Sequence, residues 1–518
     1  MNLGDYLSRS AAYWPDAEAL VWSGQRWTYR RLEAEANQLA SALQGRGCLP
    51  GTAVATLAAN RGELVVAEMA LCKAGAVRVP ISTRLAPAEV EHVLVDAGVE
   101  VVLVDAKHRH MVCEIADRRG LALLVVDFDA AGDGDLAFPA LLAEGDPSPV
   151  SVDVPAGHPA VLNFTSGSTG TLKAAVQTVG NRLSNMRKMA MNPQATLSKG
   201  SVYLVAGPIT HASGMGILGC FFRGATVVVL SAFDVESYLD TLEREKVTQS
   251  FLVPVMLNRV LASPTLGRRN FPHLRSITIG GAPVAPARLR EAVEAFGPVI
   301  SQGYGQGETT STITFLTIED VLRGIESDPD LLLSCGRAVF DTEVRVVDPD
   351  GRPLPPGEVG ELLARGPDCV QEYFHAPEAT AELLLDGWVR TGDLGYIRED
   401  GYIFLVDRKK DMIISGGYNI YCTEVEASLY DHPGVFEACV VGVPDEQWGE
   451  TVKAFVSRAQ GTSVSEEELR DFCSQRLSRV KVPRIIEFVE DLPRNRNGKL
   501  DRRLLREREW SGSERRVG

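Results

Sequence analysis

The sequence has neither clustered cysteines nor an excess of basic residues. Its nine cysteines are scattered from Cys48 to Cys473, with no Cys-x-x-Cys pair and no Cys/His cluster. A structural zinc site is therefore not expected, and the pattern is typical of a reducing cytoplasm. Lys and Arg number 53 against 68 acidic residues, a net charge of −15. This balance argues against nucleic acid or an anionic membrane as the main partner.

Signals for export and for membrane insertion are also missing. The first residues, 1–6, lack the basic and apolar regions of a signal peptide, so we expect a cytoplasmic protein. The stretch 202–222 carries no Asp, Glu, Lys or Arg and is long enough to span a bilayer. Pro208 and four glycines interrupt it, so we interpret it as buried backbone that lines a cavity.

The hydrophobic pattern predicts a large α/β region at the start of the chain. At 518 residues and 45% hydrophobic content, the chain is long enough for two to four compact units. Helical spacing at 29–43 and 64–74 alternates with nearly continuous apolar runs, which are typical of parallel strands buried on both faces. These runs are 99–104, 121–126, 225–230 and 276–279.

The pattern changes near residue 335. Short strands at 343–347 and 360–364 are separated by Asp-Gly and Pro-Pro-Gly turns, which predicts a small β-barrel-like unit. Beyond Arg408 the pattern indicates a compact α+β tail. There a capping box at 465–468 opens a helix whose apolar face carries Leu469, Phe472, Cys473 and Leu477.

A turn rich in hydroxyls and glycine follows the apolar run 160–162. Residues 163–173 read Asn-Phe-Thr-Ser-Gly-Ser-Thr-Gly-Thr-Leu-Lys. Glycines let successive backbone N–H groups point into one concavity, and the hydroxyls add donors, so the turn suits the outer phosphates of a nucleotide. It is not a Walker A loop, because Lys173 lies three residues after Gly170 and is followed by Ala174.

Four further motifs follow this turn in order. They are Gly-Tyr-Gly-Gln-Gly-Glu at 303–308, Trp-Val-Arg-Thr-Gly-Asp-Leu-Gly at 388–395, Asp-Arg-Lys-Lys-Asp-Met-Ile-Ile-Ser-Gly-Gly at 407–417, and Pro-Arg-Asn-Arg-Asn-Gly-Lys at 493–499. Together the five motifs resemble the adenylate-forming superfamily of acyl-CoA synthetases, luciferases and peptide-synthetase adenylation domains. The chain is most similar to an acyl-CoA ligase, from about residue 5 to about residue 506.

The resemblance implies an α/β fold in three parts. A large N-terminal region of parallel-rich α/β subdomains with the small β-barrel-like subdomain would cover 1–407. A hinge would occupy 408–411, and a mobile α+β C-terminal domain 412–518. It also implies ATP, Mg²⁺ and CoA as cofactors and cosubstrates. The expected partners are a small-molecule carboxylic acid and CoA, with a carrier protein as an alternative thiol. We expect a monomer or homodimer.

The resemblance assigns a role to each motif of the nucleotide site. The implied nucleotide-binding residues are Thr165, Ser166, Gly167, Ser168, Thr169, Gly170, Lys173, Tyr304, Asp393 and Arg408. Tyr304 would stack on adenine, and Asp393 would accept hydrogen bonds from the ribose. The catalytic residues would be Glu308, which would also be the Mg²⁺ ligand, and Lys499. Lys499 would neutralise charge between the carboxylate and the α-phosphate.

The second half-reaction has its own residues. Lys410 occupies the hinge position, and Ser415, Gly416 and Gly417 would line the CoA tunnel. The implied acyl pocket consists of His211, Ala212, Ser213, Gly214, Gly280, Gly281, Ala282, Gly303 and Gly305. We interpret His211 as a hydrogen-bonded wall residue. Because most of these side chains are small, we expect a bulky hydrophobic acid, aromatic or polycyclic.

Three positions depart from the family pattern. Leu172-Lys173-Ala174 replaces Pro-Lys-Gly, Val179 precedes Gly180-Asn181 where a His is usual, and Gly307 replaces the Thr before the metal-binding Glu. Losing one phosphate hydrogen bond could cost about 1–3 kcal/mol. One alternative is therefore a non-adenylating or weakly adenylating variant that only thioesterifies a supplied acyl adenylate. The others are a stand-alone enzyme that loads the phosphopantetheine of a carrier protein and a non-catalytic nucleotide-binding protein.

Overall fold

The computed structural model of the protein describes residues 2–129, 136–166, 172–192, 196–408, 411–445, 447–494 and 500–510. Within these ranges the strands form four sheets. Two large, mostly parallel sheets come from the N-terminal region, and two smaller, mostly antiparallel sheets follow. This confirms the predicted order of an α/β region, a small β unit and an α+β tail.

The first 145 residues contribute to both large sheets. Their strands are β1 (Glu18–Trp22), β2 (Gln25–Thr28), β3 (Ala53–Leu57), β4 (Val77–Pro80), β5 (Val101–Val104), β6 (Leu124–Asp127) and β7 (Leu136–Ala137). Their helices are α1 (Asp5–Tyr13), α2 (Tyr29–Gly45), α3 (Gly62–Ala74), α4 (Pro87–Asp96), α5 (Ala106–Arg119) and α6 (Phe138–Glu144). The predicted strand at 121–126 forms only in its second half, because its first residues complete the turn after the left-handed Gly120 that caps α5.

The second segment completes the large sheets. Its strands are β8 (Pro159–Ser166), β9 (Leu172–Thr178), β10 (Val202–Val205), β11 (Thr226–Val229), β12 (Gln249–Leu252), β13 (Ser276–Gly280), β14 (Ile300–Gln306) and β15 (Ser311–Leu316). Its α-helices are α7 (Val179–Met191), α8 (Ile217–Arg223), α9 (Val235–Arg244), α10 (Pro254–Leu261), α11 (Pro286–Phe296) and α12 (Ile318–Glu326). Its 3-10 helices are Ala212–Gly216, Leu266–Arg268, Gly307–Thr309 and Pro329–Leu333.

The apolar stretch 202–222 divides into short pieces, as its proline and glycines predict. It holds β10, a 3-10 turn and all of α8 except its last residue. Among the helices in the described ranges, none combines the length and the apolar character that crossing a membrane requires.

The remaining segments add β16 to the edge of the second large sheet and build the two small sheets. The strands are β16 (Arg337–Ala338), β17 (Glu343–Val347), β18 (Gly360–Arg365), β19 (Leu384–Leu385), β20 (Trp388–Ile397), β21 (Ile403–Arg408), β22 (Ile413–Ser415), β23 (Tyr418–Ile420), β24 (Val435–Asp445), β25 (Gly449–Arg458) and β26 (Ile485–Phe488). The helices are α13 (Pro377–Leu383), α14 (Cys422–Tyr430), α15 (Glu466–Ser474) and α16 (Arg502–Glu509). The capping box at Ser465 opens α15 as predicted, but the helix ends before Leu477.

Strand order brings the sequence motifs together. One large sheet runs β7-β6-β5-β3-β4-β8-β9, and the other runs β16-β15-β14-β13-β12-β10-β11-β1-β2. The β17-β18-β20-β19 sheet, with β21 on β20, lies next in the chain. In parallel sheets the side chains that bind ligands gather at the carboxyl ends of the strands. The glycine motif at 303–308 ends β14 in this way, beside the end of β13.

The C-terminal residues bury a hydrophobic core of their own. Ile413, Val425, Val440, Val456 and Leu469 belong to one cluster that contains only residues from 413 onward. A core that is closed within one segment lets that segment move as a unit without exposing apolar surface elsewhere.

Candidate active site

Asp393 lies at the centre of one hydrogen-bonded group. Its Oδ2 accepts the Tyr304 hydroxyl at 2.6 Å and the Gln306 amide at 2.8 Å. Its Oδ1 lies 3.3 Å from Nε of Arg408. The carboxylate is buried, so these three partners compensate for the water that it has lost. The structure thus brings together Tyr304, Asp393 and Arg408, three of the predicted nucleotide residues.

Local sequence explains this convergence. Tyr304 and Gln306 lie two residues apart near the end of β14, so both side chains extend from the same face of the strand. Asp393 and Arg408 are direct partners in the antiparallel pair β20–β21. Burial, and then the neighbouring Asp393 carboxylate, raises the pKa of Tyr304 well above its usual value. The hydroxyl therefore stays protonated and remains a donor.

Glu308 lies on the 3-10 turn that follows β14. The Thr165 hydroxyl and the Tyr373 hydroxyl both donate to its Oε1, each at 2.8 Å. Its backbone carbonyl accepts the N–H of Val370 at 2.9 Å. Burial, with Glu308 as the next cause, raises the pKa of Tyr373. This phenol is therefore a stable donor as well, and the predicted metal ligand is fixed from two directions.

The turn that carries Glu308 has little room on one side. A Cβ added to Gly307 would lie 2.5 Å from Nδ2 of Asn163 and 3.0 Å from Cγ2 of Thr165. Beyond Glu308, Thr310 has φ +55° and Ser311 has φ +153°. Positive φ is unfavourable for a β-branched residue, so the surroundings must hold this backbone in place.

The predicted acyl-pocket glycines differ in what lies beside them. Backbone packs closely against some of them, and at Gly303 there is room for a side chain. Added Cβ atoms would lie 1.6 Å from the Ser311 carbonyl at Gly305, 2.0 Å from the Ile209 carbonyl at Gly214 and 2.7 Å from the Gly303 carbonyl at Gly280. At these positions backbone fills the space, so the sequence argument that small residues leave volume is wrong there. At Gly303 an added Cβ would meet only ordinary contacts, to Phe315 and Thr278 at 3.7 and 3.8 Å.

The other pocket residues lie on two short loops. Ser213 is buried and Ala212 is exposed, both on the 3-10 turn after His211. The His211 carbonyl accepts the N–H of Gly214 at 2.9 Å. Gly281 has φ +87° and, with Ala282, follows β13.

The remaining predicted residues are Lys173, the three of the CoA tunnel and those outside the described ranges. Lys173 lies on β9 with its Nζ 6.0 Å from the Tyr373 ring centroid, on the Glu308 side of the site. Ser415 and Gly416 lie at the end of β22, where an added Cβ on Gly416 would overlap the Trp448 ring, and Gly417 has φ +85°. Gly167, Ser168, Thr169, Gly170, Lys410 and Lys499 lie outside the described residues, as does the side chain of Ser166.

Two of the three departures from the family pattern fit their surroundings. Ala174 is buried on β9, and its carbonyl accepts the N–H of Phe374 at 2.8 Å. Val179, where a His is usual, is buried in the large core cluster at the start of α7, and Asn181 beside it completes a capping box with Thr178 and donates its amide to the carbonyls of Pro367 and Cys369. The segment that follows β18 is thereby attached to both β9 and α7.

Sequence reasoning missed two of the groups that hold the two carboxylates, Gln306 and Tyr373, and the neighbour of Gly307, Asn163. Gln306 lies inside the 303–308 motif, but its partner Asp393 is nearly 90 residues away, so no local pattern predicts this hydrogen bond. Tyr373 and Asn163 lie outside the motif roles. A tyrosine that follows a strand of the small β unit was the only clue to Tyr373.

The single carboxylate of Glu308 fits a Mg²⁺ ion that is bound together with a nucleotide. Within the described ranges, no group of three or more His, Cys, Asp or Glu side chains could hold a metal ion. Magnesium in nucleotide sites is commonly bound by one or two carboxylates together with substrate phosphates and water. Both donors to Glu308 in the described residues reach Oε1, so Oε2 is the oxygen left for a cation.

Two family models and many known proteins match this chain. Residues 7–374 match the AMP-binding enzyme family, and residues 424–499 match the AMP-binding enzyme C-terminal domain. A feruloyl-CoA synthase from an Amycolatopsis species is 38% identical over 98% of this chain and 99% of its own. A fatty acid–[acyl-carrier-protein] ligase, ScoC, from Streptomyces coeruleorubidus is 34% identical over 98% of this chain and 96% of its own.

The fold of this chain also matches that of solved structures. The o-succinylbenzoate coenzyme A synthetase of Bacillus subtilis, in complex with ATP and magnesium, superposes with a TM-score of 0.84 at 30% identity. That match covers 96% of this chain and 98% of the other.

Proposed function

The chain belongs to the AMP-binding enzyme family as an AMP-forming acid–thiol ligase that uses ATP, Mg²⁺ and CoA, and we propose that its acid is a bulky aromatic carboxylic acid. The observation that carries the ligase assignment is the arrangement of two carboxylates near the end of β14: Glu308 ends the glycine motif, Asp393 lies against its Tyr304 and Gln306, and each is held by side-chain donors. Two of the relatives named above act on aromatic acids, which supports the choice of acid class.

The Asp393 group suits a nucleoside. A carboxylate that already accepts two hydrogen bonds on Oδ2 still has acceptor capacity on Oδ1, and a carboxylate suits a vicinal diol. In this proposal Asp393 accepts the ribose hydroxyls, Arg408 lies beside them and Tyr304 packs against adenine. The buried partners Tyr304 and Gln306 keep the carboxylate from rotating when the nucleotide leaves.

The Glu308 group suits the triphosphate. Glu308 would coordinate Mg²⁺ through Oε2, with Thr165 and Tyr373 fixing the side chain. When bound, the cation neutralises the charge of the phosphates that leave as pyrophosphate. Lys173 and the hydroxyl loop 165–170 would contribute further donors, and Lys499 would offset charge between the attacking carboxylate and the α-phosphate.

The thiol step would depend on movement of the C-terminal domain. We propose bounds of 1–407 for the N-terminal core and 412–518 for the moving domain, with 408–411 as the hinge and Lys410 as its pivot. Ser415, Gly416 and Gly417 would then border the path of the CoA thiol. The thiol attacks the carbonyl of the acyl adenylate, and AMP leaves with the electrons of the broken acyl–phosphate bond, so no protein nucleophile is needed.

The first experiment measures acyl-CoA by mass spectrometry. One reaction contains pooled aromatic and polycyclic acids with Mg²⁺-ATP and CoA, and a parallel reaction contains the synthetic acyl adenylates with CoA. We expect product in both reactions, with one acid preferred. Product from the adenylates alone would mean that the departures at Ala174, Val179 and Gly307 have silenced adenylation. Product in neither would contradict the proposal.

Gly303→Ala tests where the acid lies. The added methyl group would make ordinary contacts only, so we expect a folded enzyme that prefers smaller acids. Gly305→Ala is the matched control, because its Cβ would overlap the Ser311 carbonyl and should destabilise the protein for every acid. An unchanged acid preference in Gly303→Ala would remove this position from the pocket.

A further inference from the structure

The helix α7 has a polar face that is buried. Asn181, Asn185 and Lys188 follow one another at spacings of four and three residues, which places them on one side of the helix. Their exposed fractions are 7%, 5% and 3%. A buried polar side chain is costly unless it is hydrogen-bonded, so this face must have partners.

The partners lie in the segment that follows β18. Residues 367–374 form what we call the bracing segment. The Asn181 amide donates to the carbonyls of Pro367 at 2.9 Å and Cys369 at 3.1 Å. Lys188 pairs with Asp368, with 2.5 Å between Nζ and Oδ2, and Asn185 donates to the same oxygen at 3.4 Å.

The bracing segment in turn holds Glu308. The Val370 N–H donates to the Glu308 carbonyl at 2.9 Å, and the Tyr373 hydroxyl donates to Oε1 of its carboxylate at 2.8 Å. The Thr310 hydroxyl, two residues after Glu308, donates to the Asp368 carbonyl at 2.5 Å. Three hydrogen bonds therefore join the Glu308 turn to the bracing segment. One links two side chains, one links two backbone groups, and one links a side chain to a backbone carbonyl.

The lysine also reaches the turn directly. Lys188 Nζ donates to the Thr312 carbonyl at 3.0 Å, just beyond the positive-φ residues Thr310 and Ser311. One ammonium group therefore contacts both the bracing segment and the strand that leaves the turn. A backbone with unfavourable φ values persists only where the surrounding structure fixes it. Here the buried ion pair and hydrogen bonds of Lys188 and Asp368 fix the backbone at Thr310 and Ser311.

We propose that Lys188 and Asp368 are positioning residues that set the place of the Glu308 carboxylate for metal-dependent adenylation. The proposal rests on the proposed function of Glu308. Both groups are fully enclosed, Asp368 with no exposed surface, so they act through the turn and not on the substrate. Removing one partner leaves a buried charge without compensation, and the bracing segment must shift to reach water.

The test separates the two half-reactions in Lys188→Met and Asp368→Asn. We expect ATP–pyrophosphate exchange to fall by up to about a hundredfold, because a small displacement remote from the reacting atoms has such effects. We also expect the Mg²⁺ concentration for half-maximal exchange to rise. Thioester formation from synthetic acyl adenylate should change by less than about twofold, since that step does not use Glu308.

Lys73→Met is the matched control. Lys73 is fully buried on α3 and pairs with Glu33 at 2.8 Å, and the hydrogen bonds of its ammonium group in the described residues go to Ser8 and Glu33, not to the Glu308 turn. Its loss should lower the melting temperature while both half-reactions of the remaining folded enzyme change together. If Lys188→Met and Asp368→Asn behave in the same way as Lys73→Met, the positioning role is overturned.

Two measurements keep the outcome decisive. Thr310→Val removes only the hydroxyl that reaches Asp368 and should show the same selective loss, to a smaller degree, if Lys188→Met fails to fold. Mn²⁺ titration by electron paramagnetic resonance, with a non-hydrolysable ATP analogue, reads metal affinity without turnover. Weaker Mn²⁺ binding in Asp368→Asn supports the positioning role, and unchanged binding overturns it. Absence of thioester from the wild-type enzyme would instead overturn the proposed function.

Discussion

Asp393 and Glu308 belong to the same site but are held in different ways. Asp393 has partners on both oxygens, with Tyr304 and Gln306 on one and the Arg408 guanidinium near the other. In the described residues Glu308 has both of its donors on a single oxygen. The first carboxylate has a cation of the protein beside it, whereas the described residues place both donors to the second on Oε1 and none on Oε2. The difference matches the roles proposed above, in which Asp393 binds the nucleoside and Glu308 binds the metal.

The strongest way to break this comparison is Glu308→Gln. The amide keeps the shape but is a poor magnesium ligand, so we expect adenylation to fall by at least about a hundredfold at low Mg²⁺. The measurement is a Mg²⁺ titration of ATP–pyrophosphate exchange, with thioester formation from synthetic adenylate as the control. Unchanged exchange kinetics would remove Glu308 from the site.

Asp393→Asn should have the next largest effect, and on a different parameter. Loss of charge-assisted hydrogen bonds of about 1.5–3 kcal/mol predicts a KM for ATP that rises roughly ten- to hundredfold. The Mg²⁺ dependence should stay as in the wild type. A shift in the Mg²⁺ requirement without a change in the KM for ATP would reverse the roles that we assign to the two carboxylates.

Gly307→Thr would restore the family residue but not, we expect, its benefit. The new Cβ would lie 2.5 Å from Asn163, and overpacking of this kind costs about 1–3 kcal/mol. We therefore expect a lower melting temperature and no gain in adenylation. Asn163→Ala in the same chain should recover the loss. A gain in adenylation from the single substitution would show that the turn yields more easily than its contacts indicate.

The smallest effects come from the two tyrosines. Tyr304→Phe and Tyr373→Phe each remove one hydroxyl donor, worth about 0.5–1.5 kcal/mol, or roughly two- to tenfold. We expect Tyr304→Phe to raise the KM for ATP and Tyr373→Phe to raise the Mg²⁺ requirement. Steady-state titrations with ATP and with Mg²⁺ measure both quantities in each variant. Identical changes in Tyr304→Phe and Tyr373→Phe would contradict the different roles that we assign to Asp393 and Glu308.

The contiguous motifs made both carboxylates predictable. Glu308 and Asp393 each lie in a short segment whose residue types and order are distinctive. Their supports were not predictable in the same way. Tyr373, Asp368 and Lys188 reach the Glu308 turn from segments that meet only because the 367–374 segment runs beside β9 and α7. Single residues that meet across such separations leave no periodic or local signal.

The fold shows the same division between local and distant information. Apolar runs predicted strands such as β5, β11 and β13, because continuous burial on both faces is written in the residues themselves. The glycines misled us, since at Gly305 and Gly214 the absent side chain makes room for neighbouring backbone and not for a substrate. Composition records that a residue is small but not what occupies the space beside it.

The hairpin formed by β8 and β9 separates the proposed phosphate loop from the next helix in the chain. Residues 167–171 join Ser166 to its direct strand partner Leu172, and α7 begins only after the seven residues of β9. At about 3.3 Å per residue, the start of α7 is roughly 20 Å from the loop. The positive end of a helix macrodipole fades within its first turn, so α7 adds almost nothing at that distance. In the proposed function the attraction for the phosphates therefore comes from Mg²⁺, from lysine side chains and from the N–H and hydroxyl donors of the loop itself, so nucleotide binding should depend strongly on the concentration of divalent cations.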